Sequence, residues 1–269
     1  MLDNPSHAVH VAFHSFSTLP VEQHGAPPEH MFFLLLEGEF AIAIGEPVRV
    51  FPGMLLLLPS GIPHRLLGGR NVRLWQVSFC PACLGLEESQ GIMSSFRKVR
   101  LGALPVFELN QSRLAFFIRL LEEFRETGAG NNTNAMLIQR SLLILLLNEI
   151  NQCASLCTSN DHGPLIAKVL SFIDEQCLQP ISLKEVAASV HRSPAYVAAQ
   201  VKANTGFTVG QWINSRRLTQ ACARLQHSDV PVEKLAEQVG WQDTTHFIRQ
   251  FKKAYGQTPA AWRRAQRQY

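Results

Sequence analysis

Two cysteines three positions apart, Cys80 and Cys83, have the spacing that redox and zinc chemistry uses. No second pair with this spacing accompanies them, although Cys153 and Cys157 lie one helical turn apart. The six cysteines are too few and too scattered to form a disulfide framework in a chain of 269 residues. We therefore expect reduced thiols, and a thiol-oxidation role for Cys80 and Cys83 stays open.

Two histidines offer a second kind of chemistry. The segment from Gly53 to His64 runs Gly, five residues, Pro-x-Gly, two residues, His, and it resembles the second motif of cupin β-barrels. Aligning Gly38 with the close of the first cupin motif puts His24 on its first histidine, but Ala26 and Met31 replace the second histidine and the glutamate, and Gly68 replaces the late asparagine. Only His24 and His64 keep ligand positions. A catalytic metal needs at least three protein ligands. The sequence therefore predicts no metal, no cofactor and no catalytic residue in this part of the chain.

Length, composition and charge restrict the class of protein. The chain is long enough for two domains with separate cores, and its 46% hydrophobic and 17% charged residues are typical of globular proteins. No apolar run approaches the roughly 18 residues that span a bilayer, and no secretory signal is visible, so we expect a cytoplasmic protein without membrane contact. Residues 1–160 carry 11 basic and 13 acidic side chains, whereas residues 161–269 carry 14 and 8. The basic excess in the second part is expected where a polyanion binds.

Short apolar runs separated by Gly and Pro occupy the first part of the chain, from about residue 9 to 105. These runs predict strands: Phe32–Leu36, Phe40–Ile44, Val48–Phe51, Met54–Leu58 and Arg73–Phe79. Glu37-Gly38 is among the dipeptides expected to form turns between them. Many short strands with regular turn signals favour a small β-barrel.

Apolar residues at three- and four-residue spacing then predict two helices, Asn110–Glu126 and Asn132–Ala154. The second is apolar over so wide a face that it closes the N-terminal core, contacts a second subunit, or does both. A polar segment ending in Gly163 has the composition of a linker. We predict an α+β fold with a cupin-like sensing and dimerisation domain at 1–156 (barrel about 9–105, helices about 110–154). A linker at 157–163 and an all-α domain at 164–269 follow.

The helical part contains an internal repeat. Val186–Val190 recurs as Leu235–Val239 at an offset of 49, and Val197, Val201 and Gly206 recur as Phe247, Phe251 and Gly256 at an offset of 50. Each copy predicts a helix, a tight turn and a second helix. Ser182, Ser193 and Asp243 stand at N-cap positions, and Ala187 and Ala236 stand where two helices would cross closely. This is the helix-turn-helix pattern, and the continuous helix predicted at Thr208–Gln226 would join two such units.

The segment from about Leu165 to Arg264 resembles the double helix-turn-helix domain of the AraC/XylS family of bacterial transcription regulators. The most specific run is Phe247-Ile-Arg-Gln-Phe-Lys-Lys-Ala-Tyr-Gly-Gln-Thr-Pro. The resemblance implies that the second unit reads bases with Thr245, His246 and Arg249, with Gln242 and Thr244 nearby. Phosphate contacts are expected from basic side chains: Lys202, Lys252, Lys253, Arg263 and Arg264.

In the first unit the same resemblance puts three alanines in the groove: Ala195, Ala198 and Ala199. Alanine contacts a thymine methyl but makes no bidentate hydrogen bond. The second unit is therefore expected to carry most of the base specificity.

The resemblance also implies that the barrel binds a small effector. The expected pocket lies at the barrel mouth and is lined by His24, Ala26, Met31 and His64, although backbone groups could equally satisfy the two imidazoles. The sequence thus predicts a dimeric regulator, more commonly an activator in this family, with promoter DNA, an effector and, if it activates, RNA polymerase as partners. Control by a protein partner or by thiol oxidation, and a cupin enzyme, are the alternatives.

Overall fold

A computed structural model describes residues 9–24, 27–44, 46–62, 64–87, 90–129, 134–155 and 163–267. An antiparallel sheet with packed helices forms the first part and helices alone form the second, so the predicted α+β class is confirmed. The predicted linker lies outside the described residues except for Gly163, which is the first residue of a helix and not part of a linker.

The sheet has three long strands, β1 (Val9–His24), β2 (His30–Ile44) and β5 (His64–Phe79). Three short strands complete it: β3 (Glu46–Val50), β4 (Met54–Leu58) and β6 (Val106–Glu108). The order is β1-β5-β2-β4-β6, with β3 paired to β2. All pairs are antiparallel.

One predicted turn is wrong. Glu37 and Gly38 do not separate two strands but lie inside β2, where the register against β5 shifts between Leu35 and Glu37 and again between Glu37 and Glu39. Gly38 has a φ of +79°, and an added Cβ would lie 2.2 Å from the carbonyl oxygen of Asn71. The turn-like residues therefore form a bulge that bends a continuous strand.

Both faces of the sheet are apolar. One face packs Phe32, Leu34 and Trp75 against three helices: α1 (Ser94–Arg100), α2 (Gln111–Ala129) and α3 (Ala135–Ser155). The other face encloses a second cluster that includes Leu35 and Leu56. On α3, the residues that face the sheet are buried, whereas three large apolar side chains are exposed: Met136, Leu137 and Leu145. The wide apolar stripe is thus divided between the core and solvent.

Seven helices follow: α4 (Gly163–Gln176), α5 (Leu183–Ser189), α6 (Pro194–Thr205), α7 (Val209–His227), α8 (Val232–Gln238), α9 (Thr244–Tyr255) and α10 (Pro259–Arg267). The helices α5 and α6 form the first helix-turn-helix unit, and α8 and α9 form the second. The predicted caps are confirmed: Ser182 and Glu185 form a capping box, and Ser193 and Asp243 accept backbone N–H groups of α6 and α9. Ala187 and Ala236 are each 1% exposed, as a close helix crossing requires.

Candidate nucleic-acid interface

The helix α9 has one buried and one exposed face. Phe247 and Phe251 are fully buried in the core of the second unit. Gln242 in the preceding turn and Thr245 and Arg249 on α9 are exposed. The buried and exposed positions alternate at helical spacing, so α9 presents a polar surface with a guanidinium near its centre.

Two further predicted readers are partly buried. Thr244 begins α9, and the ring of His246 lies 5.1 Å from that of Trp241 in an edge-on arrangement. His246 Nε2 also lies 3.2 Å from Nε2 of Gln250. These contacts orient the imidazole on the helix surface.

Asp243 caps α9, and this contact shifts the pKa of its carboxyl group. Its pKa is lowered, first because the backbone N–H of His246 donates to the carboxylate, and also because His246 and Arg249 are positively charged neighbours. A lowered folded-state pKa stabilises the fold above the usual value of 3.8, and that stabilisation is lost as the pH falls through the folded value.

In Asp243→Asn, which keeps a capping oxygen but does not ionise, we therefore expect the free energy of unfolding to depend less on pH below about 4. Urea unfolding between pH 3 and 7 tests this, with Ser193→Ala as the control that removes a non-ionising cap. Identical pH dependence in the wild type and Asp243→Asn would show that this carboxylate contributes nothing to acid sensitivity.

The first unit presents a different surface. Ala195 and Ala199 are exposed on α6 and Ala198 is half-buried, while Val197 and Val201 are buried. Tyr196, which was not predicted as a functional residue, has a side chain that is 45% exposed beside these alanines. The signal was available, because burial of Val197 and Val201 turns the neighbouring position 196 towards solvent.

We expect the half-site bound by the first unit to tolerate base changes better than the half-site bound by the second. Alanine offers only apolar contacts, whereas a bidentate arginine discriminates by about 1–3 kcal/mol per base pair. A saturation scan of the operator with binding measured for each variant tests this. Equal base preference in both half-sites would contradict it.

The predicted phosphate-binding side chains differ in their surroundings. Lys252 and Lys253 are exposed in the last turn of α9. Lys202 is exposed on α6 and donates to the carbonyl of Gly206. Arg263 is half-buried, and its Nη2 donates to the carbonyl of Val230 at 2.5 Å, which holds α10 against the loop before α8. Four of the five predicted cations thus stand at the surface, Arg264 among them, whereas Arg263 is half-buried.

The long helix α7 joins the two units. Its first half contributes Trp212 and Ile213 to the core of the first unit, and its second half contributes Leu218 and Leu225 to the core of the second. Arg217 on α7 donates to the carbonyls of Cys177 and Gln179 at 2.7 and 2.8 Å, which fixes the end of α4. The two units are therefore held by one helix that belongs to both.

The turn between β4 and β5 contacts α7 directly. Ser215 Oγ donates to the carbonyl of Gly61, and Ile62 is fully buried in the core of the first unit. Arg100 from α1 donates to Ser60 Oγ at 3.2 Å. Arg216 on α7 contacts two partners: its Nη2 pairs with Asp174 at 2.5 Å, and its Nη1 lies 3.5 Å from the carbonyl oxygen of Ser60. No contact was predicted here, because Gly61 and Ser215 are 154 positions apart.

We expect Gly61→Ala to destabilise this contact. Gly61 has a φ of +76°, and an added Cβ would lie 2.4 Å from Thr219 Oγ1, which is buried and bonded to the carbonyl of Ser215. Gly53→Ala is the matched control, because Gly53 also has a positive φ, +85°, but open space around it. Both variants carry a backbone cost of about 1 kcal/mol.

Urea unfolding should show a larger loss in the free energy of unfolding for Gly61→Ala than for Gly53→Ala. Adding Thr219→Ala to Gly61→Ala should recover part of that loss. Equal losses in Gly61→Ala and Gly53→Ala would show that the contact with α7 contributes nothing to stability.

The predicted effector-pocket residues are only partly brought together. His24 and His64 are cross-strand partners in β1 and β5, and His64 Nδ1 lies 3.3 Å from the carbonyl of Ile62. Met31 lies opposite Leu58 and Ser78 and packs against the inner cluster of the sheet. Ala26 lies outside the described residues. The pocket stays a prediction.

Another cavity, of about 520 Å³, opens elsewhere on the sheet, next to Thr18, Phe40, Gly68 and Arg70. Of the predicted pocket residues whose side chains the structure describes, neither Met31 nor His64 lines it. Across the described parts of the chain, no helix combines the length and apolar character needed to cross a bilayer.

Comparisons with known proteins agree with this architecture. Residues 186–265 match a family model described as a helix-turn-helix domain. The regulatory protein PocR of Salmonella typhimurium is 31% identical over 102 residues, 38% of this chain, and the match spans only 34% of PocR. The transcriptional activator RhaR of Salmonella schwarzengrund is 22% identical over 228 residues, 81% of this chain and 78% of RhaR.

The fold is similar to that of ToxT from Vibrio cholerae, with a TM-score of 0.51 at 11% identity over 97% of this chain and 99% of ToxT. One ToxT structure contains an unsaturated fatty acid. The repeated units and their matching family model define a DNA-binding protein of the helix-turn-helix class. Within that class, the helical part of the chain is similar to transcription regulators of the AraC/XylS family.

Proposed function

We propose that this protein activates transcription by binding promoter DNA with both helix-turn-helix units and that a small molecule controls the binding. The observation that carries the proposal is the pair of capped helices, α6 and α9, attached to the two ends of α7. The 19 residues of α7 span about 28 Å, which is close to the roughly 34 Å between successive major grooves on one side of a duplex.

Specificity is assigned mainly to α9. Arg249 is exposed and suited to the O6 and N7 acceptors of guanine, and Thr245 and Gln242 lie on the same side. Lys202, Lys252 and Lys253 are assigned to phosphates, which position the protein without reading sequence. Domain bounds of 1–156 and 164–269 and a cytoplasmic location belong to the same proposal.

Control by an effector requires two arrangements of the molecule that bind the effector differently. The turn Ser60–Ile62 contacts α7, so a change at the sheet reaches the helix shared by both units. The names of the relatives support activation and effector control: RhaR is an activator, and ToxT has been observed with a fatty acid.

Dimerisation is proposed through α3. Its exposed Met136, Leu137 and Leu145 form an apolar surface of the kind that subunits bury. An activator also needs contact with RNA polymerase. We assign no enzymatic activity, because the cupin ligand positions Ala26 and Met31 carry no metal ligands and the named relatives are regulators. Control by a protein partner or by thiol oxidation is the competing account of regulation.

Selection from a random pool of duplexes tests DNA recognition. The full-length protein should enrich sites with two elements about one helical turn apart, roughly 10 base pairs. Adding candidate small molecules, fatty acids among them, then tests control by measuring the affinity for the selected site. Absence of any enriched sequence would contradict the proposal, whereas enrichment without an effector response would leave DNA recognition intact and overturn effector control.

A further inference from the structure

Cys80, Cys83 and His227 meet where the sheet approaches α7. Cys80 follows β5, Cys83 lies in the short 3₁₀ turn Ala82–Leu84, and His227 is the last residue of α7. The two sulfur atoms and one imidazole nitrogen lie within 4.8 Å of one another, and Cys83 Sγ lies 3.4 Å from His227 Nε2. Residues 144 positions apart thus form one cluster of strong metal ligands.

The separations fit a tetrahedral ion. Zinc binds sulfur at about 2.3 Å and imidazole nitrogen at about 2.0–2.1 Å, so its ligands lie roughly 3.6 Å (S to N) and 3.8 Å (S to S) apart. The observed Cys83 to His227 distance is within a few tenths of an ångström of that value. Both cysteines are free thiols in this structure. Two thiols and an imidazole are donors that zinc prefers, and three protein ligands are enough to hold the ion.

We propose that Cys80, Cys83 and His227 bind one zinc ion that joins the sheet to the end of α7, with the fourth position taken by water. The metal replaces two thiol protons, which are released to solvent. Binding fastens α7 at a second point about 12 Å along the helix from Thr219, eight residues away and on the same side. The site is separate from the cupin ligand positions, and its occupancy does not depend on DNA or on an effector.

The test is zinc binding by the full-length, reduced protein. Metal content after equilibration with zinc chloride and gel filtration should be one zinc per chain. Replacing zinc with cobalt should add the near-ultraviolet charge-transfer absorption of a cobalt–thiolate bond. In Cys83→Ser and His227→Gln the affinity should fall by about tenfold or more, the scale that even an outer-shell change produces. Cys153→Ser is the matched control, because it removes a buried thiol that lies outside the cluster.

His227 is exposed, so His227→Gln should test the site without destabilising the fold. Circular dichroism checks that each variant is folded. Unchanged affinity in His227→Gln would overturn a site shared between the sheet and α7. Lack of zinc binding by the reduced wild type would overturn the site as a whole. Formation of a Cys80–Cys83 disulfide by a chain that binds no zinc would assign the pair to thiol oxidation instead.

Discussion

Arg249→Ala is expected to weaken binding to the specific site by about 1–3 kcal/mol, which is roughly 5- to 150-fold in affinity. The exposed guanidinium lies on the face of α9 opposite Phe247 and Phe251, where it is free to approach base edges. Binding to random DNA should change much less, because nonspecific affinity depends on the total cationic charge. Fluorescence anisotropy with the specific and a scrambled duplex measures both quantities.

Two controls separate base reading from charge. Arg140→Ala removes an exposed arginine from α3 and should leave the ratio of specific to nonspecific affinity unchanged. Arg249→Lys keeps the charge but loses the bidentate geometry, so it should retain nonspecific affinity and lose specificity. If Arg249→Ala and Arg140→Ala behave alike, Arg249 does not read bases.

Phe247→Ala is expected to destabilise the fold by about 3–5 kcal/mol. Phe247 is fully buried and its ring lies 5.9 Å from Trp241 and 5.8 Å from Phe251. A cavity at this point removes the support of α9 against α8 and the second half of α7. DNA binding should fall together with stability, because the exposed residues of α9 lose their placement. Urea unfolding and the DNA affinity of the same preparation test this expectation.

Phe51→Ala is the control for this substitution. Phe51 is 41% exposed, so the same loss of a ring should cost far less than at position 247. A stable Phe247→Ala variant with unchanged DNA affinity would show that α9 does not depend on this core.

The local signals of the helical part were sufficient to predict it from sequence. Ser182, Ser193 and Asp243 cap helices because their side-chain oxygens accept nearby N–H groups, and such bonds involve residues only two or three positions apart. The helix predicted at Thr208–Gln226 is observed as α7, Val209–His227, with Thr208 as its cap. Because the unit is repeated, the sequence carries these local signals in two copies.

Long-range features were not predictable in the same way. Glu37-Gly38 has the composition of a turn, but pairing of both flanks with β5 makes it a bulge, and only the partner strand decides between the two. The contact of Gly61 with Ser215 and the approach of His227 to Cys83 depend on how two distant segments pack. A single sequence carries the C-x-x-C spacing but not the position of the third ligand. The DNA-facing residues were assigned by resemblance. Tyr196 was missed because the resemblance placed only the neighbouring alanines in the groove.

The central claim is that the basic helical part binds a specific DNA site, and the most direct test is affinity for the promoter region upstream of the protein's own coding sequence at several salt concentrations. The account predicts that the logarithm of the affinity falls linearly with the logarithm of salt by about 0.9 per phosphate contact, with preference over random DNA retained throughout. Lys252→Gln should lower that slope by about 1 without changing the preferred sequence. Salt-independent binding, or no binding to that region or to any selected duplex, would contradict the account.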